Sequence, residues 1–314
     1  MTTPTGTLPP AGPPDPGLDD VAAWFTAQSG MRERFGAVIR QAIDEVLDGR
    51  RTGQYDIRTV DRSVKTFLGT KVEIITRFEF DLGYGKPMDY TVAGHPVDAK
   101  FTLNRFAWQI PQEAVGHICL LMNADDRAGT FSVGLVRVTS EILRAKGNQD
   151  KKRVIAAGQR SAIRWLVQDG PLPENQLLAL ARTNAGAVEE IFQGTSGQDR
   201  INTLMTHFLG RIVLGTTVDT VANQRDSSKR VRDARIELAK DGIVVLGGNR
   251  KAQQKIAAAL ELPVPKGSTW IPVRLARATG DGRPTAMIAG AEYTVWQEGD
   301  KRAPAPELLD GKTN

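Results

Sequence analysis

Three acids and a lysine, Glu73, Asp89, Asp98 and Lys100, fall within the single stretch from Val72 to Leu103. Carboxylates are hard oxygen donors that hold a small divalent cation such as Mg2+. An ammonium beside them neutralises charge that develops on a phosphorus centre. Together they are the equipment of a magnesium-dependent phosphodiester hydrolase, with Glu73, Asp89 and Asp98 as the expected metal ligands. Asp98 and Lys100 lie two apart, so on a strand they share a face. Asp89 falls on the strand before, close enough across a hairpin to share a cation with Asp98. Glu73 reaches the same place only from a helix packed beside the sheet. The Asp-x-Lys spacing alone is common, recurring at Asp150 and Asp310. Of the three copies, the one at Asp98 is flanked by apolar residues as a strand would be.

The elements that must position these residues follow from periodicity and breakers. Apolar residues at helical spacing predict a helix from Leu18 to Leu47, ended by Gly49 to Gly53, and another from Val64 to Phe80, ended by the Gly/Pro loop at 82–87. Met88 to Ala93 and Pro96 to Leu103 read as a hairpin around Gly94-His95. His117 to Asn123 and Ser132 to Val138 are further strands, so a mixed sheet flanked by helices is expected. The second half reads as helices at Arg200–Gly215, Val218–Asn223 and Lys229–Lys240. A strand follows at Gly242–Gly248, a helix at Lys251–Leu260, and strands at Trp270–Ala276, Thr285–Ala289 and Tyr293–Gln297. Three helices leading into strands is a winged helix-turn-helix pattern with a β-rich extension. The expected division is a disordered tail at 1–17, one domain at 18–165 and a second at 166–314, with a linker near Gly170–Pro173.

At 314 residues the chain is comfortable for two domains. Its 40% hydrophobic and 25% charged content is that of a soluble globular protein. Without an apolar run long enough for a membrane span or a signal peptide, the expected compartment is the cytoplasm. The single cysteine, Cys119, excludes an intramolecular disulfide and a cysteine-based zinc site. Net charge is +5, and the positive residues cluster. Arg144, Lys146, Lys151, Lys152, Arg153, Arg160 and Arg164 are opposed by Asp150 alone. Arg225, Lys229, Arg230 and Arg232 start the presumed recognition helix and are the candidate DNA contacts.

In several motifs, in one order over nearly its whole length, the chain resembles the NaeI-type restriction endonucleases. They are Asp48-Gly-Arg-Arg-Thr-Gly53, Lys65–Ile74, Asp89–Gly94, Val97-Asp-Ala-Lys-Phe101 and Gly116–Leu120. In the second half they are Lys229–Arg232, Gly242–Gly247 and Leu262-Pro-Val-Pro265. The resemblance implies an N-terminal endonuclease domain of the PD-(D/E)xK type and a C-terminal domain with a CAP-like helix-turn-helix. It maps the catalytic set onto Glu73, Asp89, Asp98 and Lys100. One departure is plain: Pro87 precedes Met88 where the generic pattern sets proline directly before the aspartate. The resemblance also implies a homodimer on double-stranded DNA with a GC-rich palindromic target such as GCCGGC. A second DNA copy would be bound at the C-terminal domain as effector, and a cognate methyltransferase would protect the host without being a stable partner.

Other chemistries fit less well. Val46-Leu-Asp-Gly-Arg-Arg51 approaches the Lys-x-Asp-Gly-x-Arg motif of nucleotidyl-transferring DNA ligases, but Val46 stands where the adenylated lysine must be. Gly311-Lys312-Thr313 lacks the upstream glycine of a phosphate-binding loop. His95, His117 and His207 form no pair that would serve a histidine-metal nuclease. The rival reading is a winged-helix transcriptional regulator without nuclease activity. It accounts for the second half and leaves the acid–lysine hairpin without a purpose.

Overall fold

The computed structural model describes residues 14–308, so residues 1–13 of the expected tail, and Asp310 and Gly311–Thr313, lie outside the described residues. The chain divides into two compact units, 1–46 with 59–173 and 47–58 with 174–314.

The first unit opens on α1 (Pro16–Thr26). Its Asp15 side chain accepts from the Leu18 amide, and Pro16 occupies the first turn, where a missing N–H costs nothing. Asp15, Pro16 and Gly17, expected in the tail, therefore belong to this helix and its cap. α2 (Met31–Leu47) follows, and the single helix expected over Leu18–Leu47 is two, because Gly30 turns the chain at φ +63°. The short α3 (Gly49–Thr52) folds with the second unit. α4 (Arg62–Glu79) buries Leu68, Val72 and Thr76 at i, i+4 and i+8, one stripe of its surface.

Six strands form one mixed sheet in chain order: β1 (Gly83–Tyr84), β2 (Tyr90–Val92), β3 (His95–Thr102), β4 (Ile118–Asp125), β5 (Thr130–Arg137) and β6 (Arg164–Pro171). Only β3 and β4 run parallel, which requires the crossover at 103–117. β4 is almost wholly buried, as a central strand covered on both faces must be. The β2–β3 turn is Ala93-Gly94 rather than Gly94-His95. Val92 pairs with His95, and both turn residues have positive φ, 49° and 80°, as a two-residue type I′ turn demands. β6 lies in the stretch first expected to hold the domain boundary. It pairs with β5, so the first unit ends after Pro173 rather than at 165.

The second unit contains α5 (Gln176–Thr183), α6 (Ala185–Gln193), α7 (Gly197–His207), β7 (Val213–Leu214), α8 (Gly215–Ala222) and α9 (Ser227–Ala239). It continues with β8 (Ile243–Gly247), α10 (Lys251–Ala259), β9 (Thr269–Arg277), β10 (Thr285–Ile288) and β11 (Ala291–Val295). The helix expected over Arg200–Gly215 stops at His207. Gly210 turns at φ +73° and its amide bonds the Pro272 carbonyl, which leaves Val213 and Leu214 free to pair with β9. β9 is the hub of this sheet, pairing with β7, β8 and β11. The inserted segment is fixed from within this unit. A Cβ on Gly49 would meet Thr220 Oγ1 at 2.2 Å, and Tyr55 stacks on Phe192 with ring centroids 5.6 Å apart. No described helix is long and apolar enough to cross a membrane.

Candidate active site and basic surfaces

Strand geometry places Asp98 and Lys100 on one face of β3, aligned with Cys119 and Leu121 of β4. Lys100 Nζ donates to both Asp98 oxygens, at 2.8 Å and 2.7 Å, and to the Ala99 carbonyl at 3.0 Å. The Cys119 thiol donates to Asp98 Oδ2 at 3.4 Å. Burial, then the Asp98 charge, pushes that thiol well up, so it remains an S–H donor. Burial also pushes the Asp98 carboxyl up, opposed by Lys100. For Lys100, burial pulls down and the Asp98 charge and hydrogen bond outweigh it, so the ammonium ends above its ordinary value.

Asp89, expected on the strand before β3, stands in the bend immediately before β2, which begins only at Tyr90. Its Oδ2 accepts from the Ala99 amide at 2.7 Å, which ties the hairpin acid to the Asp98–Lys100 strand. Glu73 comes from α4, whose buried stripe meets the opposite face of the sheet: Thr76 Oγ1 reaches Met122 Sδ at 3.8 Å. The Tyr90 hydroxyl donates to the Glu73 carbonyl at 2.8 Å and locks helix to hairpin. Glu73 Oε1 accepts from Arg77 at 3.0 Å. Burial and then the Asp89 charge push the Glu73 carboxyl up, and the charges of Arg77 and Lys100 oppose them.

The structure therefore brings Glu73 within electrostatic reach of Asp89 and Lys100, and Asp98 within reach of the same two, from one helix and one hairpin. It does not close them into a cage: among the described residues no three His, Cys, Asp or Glu side chains form a group that could hold a metal ion. Both oxygens of Asp98 are taken by Lys100, while Glu73 Oε2 and Asp89 Oδ1 have no hydrogen-bond partner among the described residues. Arg77, Cys119 and Tyr90 were not expected at the site. Arg77 was findable, standing one turn after Glu73 where i, i+4 pairs meet. The Cys119 contact needs the β3–β4 register, which no local pattern encodes.

The basic run at 144–164 lies over the sheet face that carries Asp98. Ile142, Leu143, Ile155 and Ile163 pack with Cys119 and Leu121 beneath it. Arg153 bonds Gln112, Arg164 pairs with Asp19, and the Arg160 guanidinium stacks 4.0 Å from the Phe106 ring. Arg144, Lys146, Lys151 and Lys152 are exposed, with no carboxylate partner among the described residues. On α9 the outward face carries Lys229 and Arg232, with Arg225 in the turn before it, all exposed. Arg230 is drawn inward, its Nε 3.0 Å from Gln224 Oε1 and its Nη1 3.5 Å from Asp233. His95 and His207 are paired with Asp20 and Glu190 rather than with each other.

A mixed-sheet unit holding acids and a lysine on a helix and hairpin, followed by a helix-rich unit, is the outline of a nuclease with a second module. Residues 19–304 match the family model described as Restriction endonuclease NaeI. The chain is also 35% identical over 303 residues to the Type II restriction enzyme NaeI of Lentzea aerocolonigenes, covering 93% of this chain and 94% of that protein. It is an enzyme of the type II restriction class, a site-specific deoxyribonuclease acting on double-stranded DNA. The chain belongs to the NaeI restriction endonuclease family.

Proposed function

We propose that the first unit, of the PD-(D/E)xK type, is the cutting unit, with Glu73, Asp89, Asp98 and Lys100 as its catalytic set and Mg2+ as its cofactor. The observation that carries this reading is the convergence of the four side chains: Lys100 bonds both Asp98 oxygens, Asp89 Oδ2 accepts from the Ala99 amide between them, and the charges of Asp89 and Lys100 bear on Glu73. Three carboxylates against the two cations Lys100 and Arg77 leave the cluster net negative, and the two free oxygens belong to Glu73 and Asp89. Mg2+ is commonly held by one or two carboxylates together with substrate phosphate rather than by an all-protein cage, so an open donor set suits it. When bound, the ion would polarise the scissile phosphate and favour ionisation of a water. Asp98 holds Lys100 in place and charged, and the ammonium offsets negative charge that grows on the phosphorus oxygens during in-line attack. The expected products carry 5′-phosphate and 3′-hydroxyl ends.

The exposed cations at 144–152 would follow the phosphate backbone of the cut DNA. In the second unit, α7, α8 and α9 leading into β8 and β9 support a winged helix-turn-helix, with α9 as recognition helix. Arg225, Lys229 and Arg232 are its DNA contacts, and Arg230 supports the turn. A second DNA copy bound there would act as effector. Two subunits would cut the two strands of a GC-rich palindrome, with GCCGGC the target that the family resemblance implies. The setting would be the cytoplasm of a host protected by a cognate methyltransferase. Family membership does not favour the regulator reading.

The test is plasmid DNA incubated with purified protein and Mg2+, with and without excess chelator, alongside Asp98→Ala and Lys100→Ala. Discrete fragments that need the metal and vanish in both variants, while DNA binding persists, are expected. Metal-independent cutting, or full nicking by either variant, would remove these residues from the reaction.

A further inference from the structure

We infer that Arg77 is a positioning residue of the cutting site, a clamp that holds the helix acid Glu73 and the hairpin acid Asp89 in one geometry. The inference rests on the proposed roles of those two acids. One nitrogen, Nη2, donates to Glu73 Oε1 at 3.0 Å and reaches the Asp89 carbonyl at 3.4 Å, so a single guanidinium spans α4 and the hairpin. It is itself confined. The Arg77 side chain is 13% exposed, its ring-like plane lies 4.4 Å from the Tyr84 ring centroid and 5.6 Å from that of Tyr90, and its Nε is buried without a partner. Tyr84, 76% exposed, forms the outer wall of this stack. By engaging Oε1, Arg77 leaves Oε2 as the oxygen Glu73 can present, as the Ala99 amide leaves Oδ1 of Asp89. A planar, stacked guanidinium fixes direction in a way that a lysine on a flexible stem does not.

A clamp and a mere balancing charge differ in sign. On Coulomb grounds alone, deleting a cation beside two carboxylates raises their affinity for a divalent ion. Deleting a clamp lowers it, because the two oxygens no longer share a geometry. Mn2+ titrated calorimetrically into the full chain reads this directly, with single-turnover plasmid cleavage measured on the same preparations. Arg77→Ala and Arg77→Lys should each bind Mn2+ roughly tenfold more weakly and cut roughly 10- to 100-fold more slowly, as loss of an orienting partner does elsewhere. The DNA concentration for half-maximal cutting should stay within about threefold of wild type, since the loss falls on positioning rather than on ground-state binding. Arg77→Lys keeps the buried charge and guards against a variant that fails to fold. Mn2+ affinity that holds or rises in Arg77→Ala, or a fully active Arg77→Lys, overturns the inference. Glu73→Gln separates the two levels. If it binds Mn2+ and cuts as wild type does, the site reading falls and takes the clamp with it. If it loses both while Arg77→Lys is normal, the clamp alone falls.

Discussion

Lys100 and Asp98 form an ion pair in which the side chains are only 22% and 8% exposed, so each is the other's main compensation for lost hydration. Removing one partner of such a pair costs more than the pair contributes, because a charge stays buried with nothing opposite. Lys100→Met should therefore destabilise the first unit by about 3 kcal/mol. Asp98→Asn should cost less, since the amide still bonds Lys100 and that ammonium has the Ala99 carbonyl as a second acceptor. The double variant should lose less than the two singles together by about 1–2 kcal/mol, as interacting neighbours do, without regaining cleavage. Urea unfolding of the four proteins measures the coupling, and strictly additive losses would mean that the pair does not act as one.

The elements that carry the acids depend on close backbone approach at one glycine. A Cβ on Gly85 would meet the Met88 carbonyl oxygen at 2.3 Å and that of Tyr90 at 2.5 Å, and backbone cannot swing aside as a side-chain end can. Gly85→Ala should cost about 2 kcal/mol and displace the start of β2, taking Asp89 and cleavage with it. Gly94→Ala, at φ +80° in open space, should cost about 1 kcal/mol of backbone strain and leave cutting nearly intact. Thermal unfolding with a cleavage assay distinguishes them, and a Gly85→Ala enzyme that cuts normally would show that Asp89 is not held by this loop. Much of this element structure was legible beforehand. α4, the hairpin, β4, β5 and α8 to β11 follow from apolar spacing and breakers, and so does the common face of Asp98 and Lys100. What escaped detection was set by distant partners. β6 shows no clean alternation and is a strand because β5 pairs with it, in a register that shifts twice along Phe131–Gly134 of β5. Asp48–Gly53 reads as the end of a helix, yet Thr220, which packs against Gly49, and Phe192, which stacks on the following Tyr55, lie far along the chain. The free and engaged oxygens of the three acids depend on rotamers and on the Arg77 and Cys119 contacts, none of which spacing encodes.

At the scale of the whole molecule, acid stability and salt dependence report on charges placed by the fold. Asp15 caps α1 and receives two hydrogen bonds from Arg137 of β5, both at 2.8 Å, which hold its carboxyl down to about 2. A carboxyl depressed on folding stabilises the native state above its unfolded pKa, near 4, and loses that contribution as pH falls to 2. With both side chains partly exposed, solvent screening leaves about 1 kcal/mol. Asp15→Asn should flatten the unfolding midpoint between pH 4 and 2 while changing its slope little above pH 5; an unaltered acid limb would mean that Arg137 does not hold Asp15 in solution. DNA binding is governed by the outward cations instead. Each phosphate neutralised on duplex DNA steepens the fall of log K with log salt by about 0.9. Lys229 and Arg232 project from α9 without carboxylate partners among the described residues, so replacing both with glutamine should flatten the slope by about 2. Arg230 is committed to Gln224 and Asp233, and Arg230→Gln should leave the slope within about 0.5 of wild type while loosening the turn before α9. Fluorescence anisotropy across a salt series, with Ca2+ in place of Mg2+ to suppress cutting, reads all three. Equal flattening by Arg230→Gln would mean that this arginine leaves its intramolecular partners to meet phosphate, and no flattening by the double variant would take α9 out of the interface.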